Sequence, residues 1–459
     1  MELNQIKKIY FVGIGGIGMS ALARYFMGRG VEVHGYDKTE TVLTKQLAQE
    51  GMRIHYVDEV SYIPEGVDLV VFTPAIPKNH TELIHFQSNN YPILKRSEVL
   101  GIISRGMKCI GVSGTHGKTT TSSIVTHILR TGGIDATAFL GGISLSLGSN
   151  FVEGKSEWVV VEADEFDRSF LRLSPDMAIV TAIDPDHLDI YGDEKTFRIG
   201  FKDYVSKMKD NGKVFKNNTL SWFKPKQAEI LRGVQWDTYG TGRGTYRAVN
   251  IYVKNGFFTF DLKSPLGDIN DLQFTLPGKH NVENAVAAIA VAQHLGVKSE
   301  AIREALMSFK GIRRRFEFII RPKKKNEVVF IDDYAHHPTE LESAIAAAKM
   351  LYPKRKITGI FQPHLYTRTR DFQDGFATAL DKLDQTVLMD IYPARELPIE
   401  GVTSDIIFNK MKNPNKIQAT KANLMDILRG LDFDVVLTLG AGDIDTFVNP
   451  IKELIVDRL

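Results

Sequence analysis

GTHGKTTT, at residues 114–121, is the stretch that predicts the fold of the central part of this chain. It follows KCIGVS (108–113), an apolar run typical of a strand, and precedes SSIVTHILRTGG (122–133), which is typical of a helix that ends in glycine. A strand, a glycine turn and a helix opening with Gly-Lys-Thr together build a phosphate cradle, because backbone N–H groups and the helix N-terminus hold phosphate oxygens. The full spacing of a nucleotide loop has one more glycine at position 112, where this chain has Val112. The alternative is a glycine-rich turn with a chance Lys-Thr pair.

The residue types in this loop also predict its chemistry. Lys118 has the length to reach the β- and γ-phosphates of a nucleotide, and Thr119 or Thr120 can place a hydroxyl on Mg²⁺. Hydrolysis, phosphoryl transfer and ligation all begin from such a loop, so the loop alone does not select among them.

Composition limits the class of protein. The chain has 459 residues, enough for about three domains, and its 43% apolar and 24% charged content is that of a globular protein. The net charge of +2 gives no reason to expect nucleic acid as a partner. The single cysteine, Cys109, excludes an internal disulfide and a cysteine-based zinc site and fits a reducing cytoplasm. Because no apolar run approaches the roughly 18–20 residues of a membrane span, we expect no membrane insertion, and the N-terminus has no signal-peptide pattern.

A second glycine turn lies near the N-terminus. KKIYFVGIGGIGMSALARYFMGRGVEVHGYD (7–37) predicts a strand, a turn, an amphipathic helix and a second strand. The G-x-G-G-x-G turn lets the backbone approach a diphosphate at the helix N-terminus, and Asp37 ends the second strand where a Rossmann acid meets a ribose hydroxyl. Taken alone, the turn favours a nicotinamide dinucleotide, although its spacing is not the strict G-x-G-x-x-G.

Polar residues follow two buried strands after the phosphate loop. Glu162, with Asp164 and Glu165 beside it, ends the strand in EWVVVEADEFD (157–167), and His187 follows the next strand. Because the carboxyl ends of parallel strands border the ligand crevice, the acids predict a Mg²⁺ site there. The alternatives are solvated loop acids and a structural histidine.

The remaining candidates lie further along the chain. Asn281 and Asn284 share one face at the start of a helix, where their amides suit adenine or simply cap the helix. Residues 212–275 have the short strands of an antiparallel insert, and the chain after residue 311 again alternates strands and helices, as in a doubly wound domain. Arg368 and Arg370 predict a bidentate clamp for a carboxylate, with a basic surface loop as the alternative.

Taken together, these motifs resemble those of the Mur ligases of cell-wall synthesis, and they keep the order of that family along almost the whole chain. The motifs are GIGGIGMS (13–20), GTHGKTTT (114–121), EADE (162–165), DPDHLD (184–189), HNVENA (280–285), RRFE (314–317), DDYAHHPTE (332–340) and FQPHLYTRTRD (361–371). One departure is Leu365, where many members have arginine.

The resemblance implies an α/β fold of three domains. These are a Rossmann-like UDP-sugar-binding domain at 1–106, a central P-loop ATPase domain with an antiparallel insert at 107–312 and a Rossmann-like, amino-acid-binding domain at 313–459. The motifs are most similar to those of members that use ATP and Mg²⁺ to join L-alanine to the lactyl carboxylate of UDP-N-acetylmuramate through an acyl phosphate. A cytoplasmic monomer or homodimer is expected.

The resemblance also implies roles for individual residues. The residues expected at the UDP-sugar are Gly13, Ile14, Gly15, Gly16, Ile17, Gly18, Asp37, Thr73, His116 and Ser169. Those expected at ATP are Gly114, Thr115, His116, Gly117, Lys118, Thr119, Thr120, His280, Asn281, Asn284, Arg315, Asp332 and Tyr334. Thr119, Thr120, Glu162 and His187 are expected at the metal, and His364, Arg368 and Arg370 at the amino acid. The implied catalytic residues are Lys118, Glu162, His187, His336 and Arg368.

Three other functions remain open. A related ligase that adds a peptide to the muramyl group, as in cell-wall recycling, has the same fold and ATP chemistry. An NAD-dependent oxidoreductase explains the first glycine turn but leaves Lys118 and Glu162 without a role. The third is a non-catalytic binding module gated by a nucleotide.

Overall fold

The computed structural model describes residues 3–184, 188–322, 327–394 and 396–458. It contains three β-sheets, of five, ten and six strands, with helices between the strands. The predicted α/β fold with three domains is therefore confirmed, while the proposed boundaries at 106/107 and 312/313 stay predictions. Among the described residues, no helix combines the length and the apolar character that crossing a membrane requires.

The first sheet carries the N-terminal glycine turn. Its strands are β1 (Lys8–Val12), β2 (Glu32–Tyr36), β3 (Arg53–His55), β4 (Leu69–Phe72) and β5 (Ile93–Lys95), and its helices are α1 (Ile17–Met27), α2 (Val42–Gln49), α3 (Thr81–Ser88) and α4 (Arg96–Gly106). The order is β3-β2-β1-β4-β5 and all pairs are parallel. The predicted βαβ unit is confirmed, and the carboxyl end of β1 lies where the strand order reverses, which is the ligand-binding point of such sheets.

The second sheet carries the phosphate loop. Its strands are β6 (Lys108–Ser113), β7 (Thr137–Ser144), β8 (Ser149–Val152), β9 (Trp158–Ala163), β10 (Met177–Val180), β11 (Lys213–Asn217), β12 (Gln235–Thr241), β13 (Tyr246–Lys254), β14 (Phe257–Lys263) and β15 (Ile269–Phe274). Its helices are α5 (Lys118–Thr131), α6 (Leu188–Tyr191), α7 (Glu194–Ser206), α8 (Gln227–Leu231), α9 (Lys279–His294) and α10 (Ser299–Ser308). The strand order is β15-β14-β13-β12-β11-β10-β6-β9-β7-β8. Parallel pairing of β6 with both β9 and β10 places the ends of three strands beside the loop.

The antiparallel insert expected over residues 212–275 needs a correction. β11 pairs parallel with β10, β12 parallel with β11, and β13 parallel with β12, so these strands extend the main sheet. A hairpin appears only after them, where Asn255 (φ +53°) and Gly256 (φ +81°) form the two-residue turn between β13 and β14. Two consecutive positive φ angles are typical of the type I′ turn that joins antiparallel strands.

The third sheet is the doubly wound domain predicted for the C-terminal part. Its strands are β16 (Glu317–Ile320), β17 (Val329–Asp333), β18 (Ile357–Phe361), β19 (Gln385–Met389), β20 (Lys416–Ala419) and β21 (Val435–Leu439), and its helices are α11 (Pro338–Leu351), α12 (Tyr366–Leu380), α13 (Asp405–Phe408), α14 (Leu424–Arg429) and α15 (Val448–Val456). The order is β16-β17-β21-β18-β19-β20, with only β16 antiparallel to its neighbour. Two separate apolar clusters contain alternating residues of the central strands, as expected when helices cover both faces of a parallel sheet.

The chain divides into two compact units by the proximity of its Cα atoms. The first comprises Met1–Val249, Asp261–Leu272 and Glu283–Phe309, and the second comprises Asn250–Phe260, Gln273–Val282 and Lys310–Leu459. The first unit therefore contains both glycine turns, and the second contains the candidate amino-acid-binding residues.

Candidate active site

The phosphate loop of the first unit is formed by residues 114–117, between the end of β6 and the start of α5. Val112, where a full nucleotide loop has glycine, is a fully buried residue of β6, so the loop begins later and is shorter. Gly114 has φ +135°, and a Cβ there would lie 2.0 Å from Thr181 Oγ1. Gly117 has φ +77°, and a Cβ there would lie 2.7 Å from Asn284 Oδ1. Both positions therefore require glycine, for backbone angle and for space.

Lys118, the first residue of α5, lies along this loop. Its Nζ donates to the carbonyl oxygen of Gly114 at 2.7 Å and to Glu165 Oε1 at 2.9 Å. The position fits a lysine that neutralises phosphate charge, and the partner Glu165 is an acid that the sequence placed only near the metal site.

Glu162 and Thr119 bring hard oxygen atoms together beside Lys118. Thr119 Oγ1 lies 2.9 Å from Glu162 Oε2 and 3.1 Å from Oε1, and Gly141 N donates to Oε2 at 2.9 Å. A Cβ on Gly141 would lie 2.2 Å from the same oxygen, so this glycine on β7 makes the room that the carboxylate uses. A hydroxyl and a carboxylate so arranged suit Mg²⁺, which prefers oxygen ligands.

The residues on the far side of the loop hold it to the strand that follows. Thr115 N donates to Ala182 O at 3.0 Å, and Asp184 N donates to Thr115 Oγ1 at 3.2 Å. His116 Nε2 lies 3.4 Å from Asp184 Oδ2. His187, predicted at the metal, lies outside the described residues.

Asn284 is also close to the loop. Its Oδ1 accepts a hydrogen bond from Thr121 Oγ1 at 3.1 Å, and the side chain is largely buried. This places the amide against the loop and the first turn of α5, and the predicted contact with adenine stays a prediction.

The N-terminal glycine turn is held by the backbone of β2 and by Asp37. Gly13 N and Ile14 N donate to Tyr36 O at 2.8 and 2.9 Å, and Gly15 N donates to Asp37 Oδ2 at 2.7 Å. The sequence suggested Asp37 as a ribose ligand, and the structure shows that one of its oxygens already orders the turn. Thr73, expected at the UDP-sugar, has its methyl group 3.3 Å from the position of a Cβ on Gly13.

Arg96 is a residue of this region that the sequence analysis missed. A Cβ on Gly18 would lie 2.9 Å from Arg96 Nη1, and Arg96 Nη2 lies 3.6 Å from Asp164 Oδ2. Arg96, Asp164, Glu162 and the predicted Ser169 line one cleft. The sequence shows only an arginine at the start of the helix that directly follows β5. Its spacing from the glycine turn matches no known motif, so the sequence did not indicate a role for it.

In the second unit, Arg315, Tyr334 and His336 lie together. The Arg315 guanidinium is 5.2 Å from the centroid of the Tyr334 ring, and His336 Nδ1 is 3.0 Å from Tyr334 O and 3.3 Å from Glu340 Oε2. Burial lowers the pKa of His336, the charge of Glu340 opposes this shift, and the charge of Arg368 adds to it. The imidazole is therefore held neutral near pH 7.

Asp332, predicted at ATP, has its carboxylate inside the second unit. It accepts from Arg314 Nε at 3.2 Å and from Thr438 Oγ1 at 2.6 Å and is 1% exposed. Arg314, which was not predicted, has φ +59° and so holds the turn before β16. The next acid, Asp333, accepts from Phe316 N at 2.8 Å, and burial raises its pKa to about 7.

His280 and Asn281 also belong to the second unit. Burial lowers the pKa of His280 to about 4, which keeps the imidazole neutral. Asn281, the third residue of α9, donates its Nδ2–H to Pro277 O at 2.6 Å, and its predicted contact with adenine and the alternative of capping the helix both stay predictions.

The proposed clamp of Arg368 and Arg370 stays a prediction. Both residues lie on α12, where side chains two positions apart point to different faces. Arg370 is exposed and donates to Asp371 Oδ1 at 2.7 Å, whereas Arg368 is partly buried and acts electrostatically on His336. Of the two arginines, Arg368 is therefore the one whose charge reaches His336.

His364 and Leu365 precede α12 and shape the same region. The His364 ring stacks on Tyr392 with centroids 5.8 Å apart and lies 6.0 Å from the His336 ring. Leu365 has φ +68° and ψ +136°, and its N–H donates to Tyr392 O at 2.9 Å. Backbone strain in a residue other than glycine is typical of functional sites, and nothing in the sequence predicted it here.

The fold and these sites define a class, the nucleotide-dependent ligases built from three α/β domains. The family model described as "Mur ligase family, catalytic domain" matches residues 8–108, "Mur ligase middle domain" matches 112–292, and "Mur ligase, glutamate ligase domain" matches 314–442. The chain belongs to the Mur ligase family.

Curated relatives and solved structures show which members of the family this chain is similar to. The chain is 48% identical to the UDP-N-acetylmuramate–L-alanine ligase of Flavobacterium psychrophilum, over 99% of each chain, and 46% identical to that of Cytophaga hutchinsonii, over 100% of this chain and 99% of the relative. The crystal structure of the UDP-N-acetylmuramate–alanine ligase of Thermotoga maritima matches 98% of this chain and 100% of its own, with a TM-score of 0.82 and 29% identity. A murein peptide ligase of Psychrobacter arcticus has the same fold, with a TM-score of 0.70 and 22% identity over 98% of each chain.

Proposed function

We propose that this protein joins L-alanine to the lactyl carboxylate of UDP-N-acetylmuramate at the expense of ATP. The observation that carries the proposal is the convergence of Lys118, Thr119 and Glu162 at a phosphate loop, in a chain that is similar over its full length to curated ligases of this kind. In the reaction the carboxylate attacks the γ-phosphate, ADP leaves, and the amine of L-alanine displaces phosphate from the resulting acyl phosphate. Because ATP is the phosphoryl donor, we keep the cytoplasm as the proposed compartment, and a monomer or homodimer as the proposed assembly.

The first unit supplies positioning and charge for the phosphoryl step. Loop N–H groups and the N-terminus of α5 orient the phosphates, and Lys118 neutralises their charge. Thr119 and Glu162 would hold Mg²⁺, because Thr119 Oγ1 lies 3.1 and 2.9 Å from the two carboxylate oxygens of Glu162. Mg²⁺, when bound, supplies further positive charge to the phosphate oxygens.

The second unit supplies residues suited to an amino acid. Arg368 is proposed to bind the carboxylate of L-alanine through charge-assisted hydrogen bonds. His336 donates its Nδ1–H to the Tyr334 carbonyl, which leaves the lone pair of Nε2 to accept a proton from the alanine ammonium group. A neutral imidazole is needed for this step, and burial of His336 lowers its pKa in that direction.

Phosphate release tests the proposal. The protein is mixed with ATP, Mg²⁺ and UDP-N-acetylmuramate, and L-alanine, glycine, D-glutamate or a tripeptide is added in separate wells. Release with L-alanine, weaker with glycine, is expected, and Lys118→Ala should abolish it. Release with the tripeptide alone would move the protein to the peptide-adding ligases, and no release in any well would reject the ligase function.

A further inference from the structure

The Lys118–Glu165 pair joins the phosphate loop to the segment after β9. Glu165 Oε2 lies 2.8 Å from Lys118 Nζ and Oε1 lies 2.9 Å from it. The two side chains are 13% and 2% exposed, so the pair is shielded from water. A shielded contact of this kind interacts far more strongly than an ion pair on the surface.

Glu165 differs from the two acids beside it. Glu162 bonds to Thr119 and Gly141 N, and Asp164 faces Arg96, whereas both carboxylate oxygens of Glu165 are directed to the loop lysine. The backbone carbonyl of Glu165 accepts from Tyr191 Oη at 2.7 Å, which fixes the residue at the start of the 3₁₀ helix Phe166–Arg172. Burial raises the pKa of Glu165 to about 7, and the charge of Lys118 opposes that shift.

This contact competes with the nucleotide. The amine of Lys118 has three hydrogens, and its two protein partners, Gly114 O and Glu165, hold it along the loop. A γ-phosphate that binds the amine brings a second anion beside the Glu165 carboxylate, so the phosphate and the carboxylate compete for the one positive charge of Lys118. The apparent affinity for nucleotide is then reduced by the fraction of molecules in which Glu165 holds the lysine.

We infer that Glu165 is a positioning residue that holds Lys118 along the phosphate loop and releases it to the terminal phosphate of the nucleotide. The inference rests on the proposed function only in that the nucleotide is ATP. No covalent step is involved, since one anionic partner of the ammonium group replaces another.

The test compares Glu165→Gln with Asp167→Asn. Glutamine keeps the size of the side chain and removes its charge, and the matched control removes a charge two residues away that pairs with Lys95. We expect Glu165→Gln to bind a non-hydrolysable ATP analogue about five-fold more tightly, with a lower KM for ATP and a kcat that falls, while Asp167→Asn binds as the parent does. A merely structural role would raise KM, so unchanged or weaker binding by Glu165→Gln would overturn the inference.

A double-mutant cycle separates release of the lysine from general repulsion between Glu165 and the nucleotide. In the Lys118→Ala background, Glu165→Gln should change analogue affinity by less than about two-fold. An equal gain in both backgrounds would overturn the inference. If Glu165→Gln does not fold, Glu165→Asp decides the question: its shorter side chain loosens the pair, and its analogue affinity should rise by a smaller factor; no rise counts against the inference.

The outcomes also separate this inference from the proposed function. Analogue binding does not require L-alanine, so tighter binding in a protein with no ligase turnover would keep the role of Glu165 and reject the ligase. Turnover with L-alanine, together with an unchanged analogue affinity in Glu165→Gln, would keep the ligase function and reject the role of Glu165.

Discussion

Residues 13–18 and 114–117 both join the carboxyl end of a buried parallel strand to the N-terminus of a helix, but their surroundings differ in charge. In the first turn, Gly15 N is bonded to the carboxylate of Asp37 at 2.7 Å. In the second, the ammonium group of Lys118 lies on the Gly114 carbonyl at 2.7 Å, with Glu162, Asp164 and Glu165 nearby.

This difference in charge distinguishes a turn suited to binding a diphosphate from a turn suited to phosphoryl transfer. A turn of backbone N–H groups is enough to hold a diphosphate that does not react. Transfer of a phosphoryl group also needs a cation and hard ligands for a metal, and Lys118, Thr119 and Glu162 bring such groups together at the second turn. The comparison teaches that the glycine spacing locates both sites, while side chains from distant strands decide what each site does.

The largest expected effect comes from removing the cation of the second turn. Lys118→Ala should lower kcat by about a thousand-fold, as is typical for the loss of a group that stabilises transition-state charge. The dissociation constant for UDP-N-acetylmuramate, measured by calorimetry, should stay within two-fold of the parent value because the first turn is unchanged. Comparable loss of both properties would mean that the two turns are not independent.

Gly141→Ala should have the next largest effect. Its Cβ would lie 2.2 Å from Glu162 Oε2, so the carboxylate must move away from Thr119. We expect kcat to fall by about 10- to 100-fold, with more Mg²⁺ needed for half-maximal rate, because the support of a metal ligand is lost. Gly106→Ala is the control, since a Cβ there meets nothing within 4 Å. An unchanged Mg²⁺ requirement in Gly141→Ala would remove Glu162 from the metal site.

The local parts of both turns were predictable from the sequence. β6 begins and ends at the predicted residues 108 and 113, because a continuous apolar run followed by glycine leaves little choice. Gly114 and Gly117 were recognised from the pattern of strand, glycine turn and helix. Their φ angles are positive, which residues other than glycine avoid, and this explains why the pattern has glycine there.

The long-range parts were not predictable by the same reasoning. Gly141 and Arg96 reach the site from β7 and α4, and no local spacing relates them to Glu162 or Gly18. The sequence analysis also did not assign the run after His364 to a helix, although it opens α12 and places Arg368 and Arg370 two positions apart on it. Short polar helices such as α2 and α3 have too few apolar residues for a clear period, and the sequence analysis did not predict them.

Arg96→Ala tests a cation that lies beside the first turn. The side chain lies against Gly18 and faces Asp164, so it is placed to bind an anionic group of the sugar nucleotide. We expect the KM for UDP-N-acetylmuramate to rise about ten-fold, the usual scale for a lost charge-assisted hydrogen bond, with the KM for ATP little changed. Arg105→Ala, an exposed residue of the same helix, is the control. A rise in the KM for ATP instead would assign Arg96 to the second turn.

The smallest expected effect concerns two buried acids, Glu82 near the first turn and Glu165 near the second. Burial raises the pKa of Glu82, which lies beside β1, to about 7, the same value as for Glu165. The partner of Glu165 is a cation, whereas Glu82 accepts from the neutral Tyr10 hydroxyl at 2.6 Å. His55 Nε2 also lies 3.5 Å from Glu82 Oε1, but burial lowers the pKa of His55, so the raised pKa of Glu82 should affect stability and leave nucleotide binding unchanged.

The sign follows from proton linkage. The folded protein binds this proton more tightly than the unfolded chain, where the pKa is near 4.5. The stabilisation is therefore complete below pH 4.5 and is lost as the pH rises to about 7. Glu82→Gln keeps an oxygen for Tyr10 and should remove about 2.5 kcal/mol of the fall in unfolding free energy between pH 5 and pH 8. Urea unfolding of both proteins at several pH values measures this difference, and parallel curves would show that Glu82 is ionised in the folded state.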